Sequence, residues 1–158
     1  MSKITTFLTY DDRAEEAVKL YVSIFPNSRI KATTHYGEAG GPMPKGTVMT
    51  INFELDGQEY VALNGGPSFS FSHGVSLMVT CDTQEEIDRY WAKLTEGGKE
   101  VQCGWLVDRF GLSWQIVPRI LMEGIGGSDK ARAQRMMGAM MKMVKMDIAA
   151  LKRAYEGG

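Results

Sequence analysis

One order of residue patterns runs through this chain twice, and few architectures accommodate such a repeat. Ile4 to Tyr10 is β-branched, aromatic or Leu, as suits a strand. Asp11-Asp12 stands where a helix N-cap belongs, and Ala14, Ala17, Val18, Tyr21 and Phe25 then recur at helical spacing until Pro26-Asn27. Arg29 to Tyr36 reads as a second strand, and Gly37 to Gly46 as a Gly/Pro loop. Val48 to Leu55 alternates, with Met49, Ile51, Phe53 and Leu55 on one face and Thr50, Asn52 and Glu54 on the other. Asp56-Gly57 is a hairpin turn, since both residues tolerate the positive φ of a type I′ turn. Tyr60 to Asn64 is the next strand, closed by Gly65-Gly66-Pro67.

The same order returns in the second half. Val75 to Cys81 is a strand, Asp82-Thr83 caps a helix bearing Ile87, Tyr90, Trp91 and Leu94, and Gly97-Gly98 stops it. Glu100 to Trp105, Leu106 to Phe110 and Leu112 to Pro118 are three further strands. Laying Glu15-Glu16 over Glu85-Glu86 gives an offset of 70, which sets Thr6 on Ser76, Leu8 on Met78 and Tyr21 on Trp91. The expected fold class is α+β: two βαβββ modules, with helices at the C-terminus. A single domain spans 1–158, with module one at 1–67, module two at 73–118 and a helical tail at 128–156. In the tail, Ser128-Asp129 caps one helix, and Asp147 before Ile148-Ala149-Ala150-Leu151 restarts another after a kink near Met146.

Composition narrows the functional classes. With 158 residues, 44% of them hydrophobic, the chain builds a core without disulfide support. A net charge of −1 supplies no global field for nucleic acid. The N-terminus lacks a signal-type apolar core, since Asp11, Asp12 and Arg13 arrive too soon, and no stretch has the length of a membrane span. Cys81 and Cys103 form no CxxC motif and read as reduced thiols, so the expected setting is cytoplasmic, with neither nucleic acid nor membrane as partner.

Several runs resemble a known family. They are Leu63-Asn64-Gly65-Gly66-Pro67; Cys81-Asp82-Thr83-Gln84-Glu85-Glu86 with Asp88 and Tyr90-Trp91; and Gln102-Cys103-Gly104-Trp105-Leu106 continuing from Asp108 to Pro118. Met140-Met141-Lys142-Met143 with Lys145 and Asp147 to Leu151 belongs with them. Together with the duplicated order, these runs resemble the vicinal-oxygen-chelate superfamily (the glyoxalase/bleomycin-resistance fold), and within it the PhnB-like branch labelled as demethylubiquinone-methyltransferase-type. The resemblance implies that the two modules form a cupped, mixed, eight-stranded sheet, with helices on its convex side, a ligand cavity on the concave side, and a homodimer.

It also implies positions for a metal, because members with metal chemistry take one ligand from the first and last strand of each half. Here those positions fall at Thr6, at or next to Ala62, at Ser76 and at Gln115. Zinc or iron needs at least three donors of the His, Cys, Asp or Glu type. Ala62 cannot coordinate, Thr6 and Ser76 are weak neutral hydroxyls, and Gln115 offers an amide oxygen. His73 lies three residues before Ser76, roughly 10 Å along a strand. His35 sits by the Gly-rich loop, and a site built on both histidines would need Glu54 or Glu59 to converge on them. The expectation is therefore no metal and no cofactor.

Other chemistry is thin. Cys103 has no neighbouring base, so a buried structural thiol outweighs a nucleophile, and Cys81 is core. Gly126-Gly127-Ser128-Asp129-Lys130 lacks the spacing of a phosphate loop. Gly37, Gly40-Gly41 and Gly65-Gly66 precede strand or loop patterns, whereas an adenosyl donor calls for a glycine turn into a helix. Met136, Met140, Val144, Ile148, Leu151 and Tyr155 recur at steps of three or four, a stripe for packing on the domain or a sister subunit, or for covering a cavity mouth. Trp114 and Trp91 are core, and Trp105 can face either way. The leading expectation is metal-independent binding of a small molecule by Thr50, Asn52, Glu54, Asn64, Ser76 and Gln115. An enzyme is the second: a lyase, dioxygenase or isomerase, with Glu54 as its only candidate base, or the methyltransferase of the family label. A structural dimer module is the third.

Overall fold

The structure, a computed structural model, describes residues 2–158; Met1, counted in module one above, lies outside the described residues. Two compact units divide the chain, Met1–Phe71 and Ser72–Gly158.

The first unit runs β1 (Thr6–Tyr10), α1 (Ala14–Ile24), β2 (Arg29–His35), β3 (Val48–Leu55) and β4 (Gln58–Asn64). Its sheet is ordered β1-β4-β3-β2, with β1 parallel to β4 and the other pairs antiparallel. Asp56 (φ 49°) and Gly57 (φ 79°) make the tight turn that joins β3 to β4. The alternation of β3 holds: Ile51, Phe53 and Leu55 are buried with Leu8, Tyr10, Tyr60 and Ala62 on the side of α1. From α1 come Ala14, Ala17, Val18, Tyr21 and Ile24. Each large apolar side chain enclosed this way stabilises the unit by about 1.5–3 kcal/mol.

Asp11-Asp12 does not cap α1. The N-cap position is Arg13, which makes no side-chain cap bond. The Ala14 N–H instead donates to Asn64 Oδ1 at 2.9 Å, an acceptor brought from the far end of β4.

The second unit runs β5 (Ser76–Cys81), α2 (Gln84–Thr95), β6 (Lys99–Glu100), β7 (Trp105–Val107), β8 (Ser113–Pro118), α3 (Arg119–Ile125), α4 (Lys130–Met140) and α5 (Ile148–Glu156). Its sheet is ordered β5-β8-β7-β6, again with one parallel pair, β5 with β8. Thr83 caps α2 in a full capping box with Glu86. The strand expected over Glu100 to Trp105 shrinks to the two residues of β6, because Cys103 (φ 60°) and Gly104 (φ 83°) turn the chain back. That expected over Leu106 to Phe110 stops at Val107, where Asp108 takes over. The Asp108 carboxylate accepts from the N–H groups of Phe110 and Leu112 and from the Trp114 indole, and is buried. Much of the signature run is thus a turn held from inside by one carboxylate.

The sequence pattern gave no sign of α3, which follows β8 directly. In the tail the expected kink is a full break over residues 141–147, and both Asp129 and Asp147 cap as expected. This break is stitched to the second unit. Cys103 and Gly104 donate their N–H groups to the carbonyls of Met143 and Val144, each at 2.8 Å. The Gln84 amide donates to the Met146 carbonyl and accepts from the Ile148 N–H. Lys145 pairs with Asp88, and Met146 is wholly buried. The regular stripe from Met136 to Tyr155 is therefore interrupted: Met136 and Leu151 are core, whereas Val144 is 39% exposed.

The offset of 70 holds for the helices, which open at Ala14 and Gln84, but the strands before them close at Tyr10 and Cys81, 71 apart. The strand-to-helix junction is one residue shorter in the second unit. Leu8 thus matches Val79, and Phe7 matches Met78, correcting the pairing of Leu8 with Met78. Among the described residues, no helix is long and apolar enough to cross a membrane.

Candidate functional site

On the face of the first sheet turned away from α1 stand Phe7, Val61, Thr50, Asn52 and Glu54, as strand alternation and register require. Thr50 Oγ1 lies 2.6 Å from Thr34 Oγ1. Glu54 accepts from Arg29 Nε at 3.2 Å and pairs with Lys31, which also binds Glu59. Hydrogen bonding to Arg29, then to Lys31, holds the Glu54 carboxyl below the ordinary carboxylate range, the opposite of what a general base needs. Asn52 borders a hollow of about 160 Å³ with Phe7, Lys31, Glu59 and Val61.

Asn64 stands apart from these three. It shares the phase of Tyr60 and Ala62, on the α1 side, and is 2% exposed. Besides capping α1, its amide donates to the Val48 carbonyl at 3.0 Å, and its own carbonyl accepts from the Tyr36 hydroxyl at 2.6 Å. The amide expected to meet a ligand is engaged in holding three chain segments.

The second sheet brings Ser76 and Gln115 together. Gln115 Nε2 donates to Ser76 Oγ at 3.0 Å. Register sets two rows across the face turned away from α2: Trp105, Gln115 and Met78 in one, and Lys99, Val107, Ser113 and Ser76 in the other. Trp114, one residue from Gln115, is 1% exposed on the opposite face beside α2, and its phase settles that of Trp105 through the β7–β8 pairing. Beside these rows lies a cleft of about 810 Å³, bordered by His73, Lys99, Glu100, Trp105, Val107 and Ser113, with Val144 from the stitched segment. His73 Nδ1 is 3.0 Å from Ser113 Oγ. Glu100 accepts from the Trp91 indole of α2.

Apart from Trp105 and Val144, the cleft residues escaped the sequence reading for a physical reason. β6 and β7 hold two and three residues, too few for alternation to declare a face. His73 lies in the loop before β5, where nothing in the sequence ties it to Ser113.

The metal positions implied by the resemblance do not fit an ion. Thr6 and Ala62 share the phase of Leu8, so they sit on the α1 side, and the one-residue slip puts Phe7 and Val61 on the other face. Neither can donate a lone pair to a metal. Ser76 and Gln115 are bonded to each other, and no group of three or more His, Cys, Asp or Glu among the described residues is placed to hold an ion. Nor does a glycine turn lead from a strand into a helix: the junctions Asp11–Arg13, Asp82–Thr83 and Pro118–Arg119 contain none. Cys81 is buried, and burial, with smaller contributions from Glu86 and Asp82, pushes its thiol up to about 12.

Comparison with known proteins places this arrangement. The family model described as 3-demethylubiquinone-9 3-methyltransferase matches residues 2–117. A PhnB protein of Bacillus cereus, whose description carries the same methyltransferase name, is 39% identical over 74% of this chain and 99% of its own, with a TM-score of 0.68. A protein from Pseudomonas aeruginosa shares the fold at 20% identity over 75% of this chain and 98% of its own, with a TM-score of 0.61. The fosfomycin resistance protein FosX of Listeria monocytogenes shares it at 13% identity, over 75% and 93%, with a TM-score of 0.50. No curated protein matches. The matched length, the duplicated units and the signature turn agree, and the chain belongs to the PhnB-like family of the vicinal-oxygen-chelate superfamily.

Proposed function

We propose that this protein binds a small organic molecule, without a metal ion, on the face of the second sheet turned away from α2. The observation that carries this reading is the cleft of about 810 Å³ beside Trp105, Val107 and Val144, in which Ser113, His73 and Lys99 present polar atoms. Size and lining are those of sites that enclose an apolar body and orient it with a few polar groups. Ser76 and Gln115 extend the polar strip beyond the cleft, and they are the part of the expected lining kept in the proposal. Asn52 and Thr50 belong to a separate, smaller surface on the first unit. A cytoplasmic setting and a homodimer go with this reading, the first favoured by two free thiols, the second by the family resemblance.

Catalysis by Glu54 is disfavoured by its ion pairs, and methyl transfer by the absence, among the described residues, of a glycine turn from a strand into a helix. A ligand-observed NMR screen of small aromatic and aliphatic fragments, run in EDTA, tests the proposal. Fragments are expected to bind the parent protein and to be lost from Val107→Trp, which fills the cleft. Binding that requires added zinc or manganese, or that survives Val107→Trp, overturns it.

A further inference from the structure

We infer that the cleft of the second unit selects organic anions with a flat apolar body, a conclusion that rests on the binding site proposed above. Charge is the first argument. Lys99 stands opposite Val107 in the β6–β7 pairing, so its side chain leaves the sheet on the same face as Val107, Ser113 and Ser76. Glu100, the next residue, has the opposite phase. It pairs with Leu106, which is fully buried, and its carboxylate takes the indole N–H of Trp91 from α2. The one carboxylate bordering the cleft is thus directed to the helix side, while the neighbouring ammonium stays with the cleft and makes no ion pair among the described residues.

Hydrogen-bonding capacity is the second argument. Ser113 is 1% exposed and shares its hydroxyl with His73 Nδ1. That bond fixes the imidazole by one nitrogen and leaves Nε2 without a partner among the described residues. In the tautomer in which the Ser113 hydroxyl donates to Nδ1, the ring proton sits on Nε2, and that N–H beside the Lys99 ammonium matches the oxygens of a carboxylate better than a cation or a neutral hydrocarbon.

Shape is the third. Trp105 and Val107 rise from the same face of β7, with Val144 supplied by the stitched tail, so the wall beside the cationic end is apolar and includes a broad indole. A planar ring system laid against Trp105, with its acid group toward Lys99 and His73, satisfies all three sets of residues. Val144 is set in place by the Gly104 N–H bond to its carbonyl, so the wall is part of the folded second unit.

The test compares 2-naphthoate with its neutral counterpart 2-naphthylmethanol by NMR titration of the whole chain. The acid is expected to bind about five-fold more tightly than the alcohol, with the difference shrinking as salt is raised. Lys99→Met, at an exposed position, should weaken the acid more than the alcohol and so narrow the difference between them; Trp105→Leu should weaken both. Equal affinities for acid and alcohol in the parent protein, with both lost in Val107→Trp, would overturn the anion selectivity while leaving the cleft as a binding site. Binding of either probe that is indifferent to Val107→Trp would overturn both readings, as would a failure of both probes to bind.

Discussion

At Asn64 a single primary amide joins the first turn of α1, the start of β3 and, through its own carbonyl, the Tyr36 hydroxyl. Replacing it by Ala leaves the Ala14 N–H and the Val48 carbonyl without partners, at about 1–3 kcal/mol for each buried group. Urea unfolding of Asn64→Ala should therefore lose about 2–4 kcal/mol. Asn64→Asp keeps the acceptor for α1 and should recover part of the loss; equal losses in the two variants would argue against the cap. In the sequence, a polar residue ahead of Gly65-Gly66 resembles a cavity residue, because the start of α1 that it caps lies 50 positions away. Cys81 makes a second residue-scale prediction. Burial pushes its folded thiol from the ordinary thiol range up to about 12, so between the two the folded state binds the more protons. Stability should fall as pH rises from 9 toward 12, and Cys81→Ala should show a shallower fall in Tm over that window. Identical slopes would mean that the thiol does not contribute.

At the scale of elements, length decided what could be read. β3 has eight residues and α2 twelve, long enough for the spacing of buried positions to declare both type and face. β6, β7 and α3 are short, and the chain between β6 and β7 is turned by Cys103 and Gly104 at positive φ, where strand propensity says nothing. The tail was legible as caps, Asp129 and Asp147, but not as a stitched segment, because its partners are backbone groups. Gln84 is the side chain that joins it to α2, taking the place of a peptide group between Met146 and Ile148. Gln84→Ala should cost about 1–2 kcal/mol. It should also speed amide exchange at Ile148, with a smaller effect at Gly104, whose N–H is held by the adjoining Val144 carbonyl. Unchanged exchange at Ile148 would show that residues 141–147 stay in place without Gln84. Gly104→Ala is expected to be worse than an exposed glycine substitution, since a Cβ there would meet the Ile116 carbonyl oxygen at 2.8 Å and φ is +83°.

For the molecule as a whole, the duplication was visible in the order of elements, while its register was not. Acidic pairs at 15–16 and 85–86 fix the helices against each other, but the junction before α2 is one residue shorter, and a one-residue slip exchanges the faces of a strand. That slip put the expected metal position at Thr6 on the wrong side of its sheet. It also explains why both units present an exposed apolar residue at the equivalent place, Phe7 at 55% and Met78 at 48%, with Leu8 and Val79 turned toward the helices. Four single substitutions to histidine separate the two registers. Phe7→His and Met78→His should each change stability by no more than about 0.5–1 kcal/mol, as at other exposed positions. Leu8→His puts an imidazole into the apolar core of the first unit and should cost about 2–5 kcal/mol, and Val79→His should fall on the same side of the division. With an offset of 70, Leu8 would pair with Met78, and those two substitutions would have to behave alike. Urea midpoints that set Leu8 with Val79 and Phe7 with Met78 establish 71 as the register of the strands, and any other grouping rejects it.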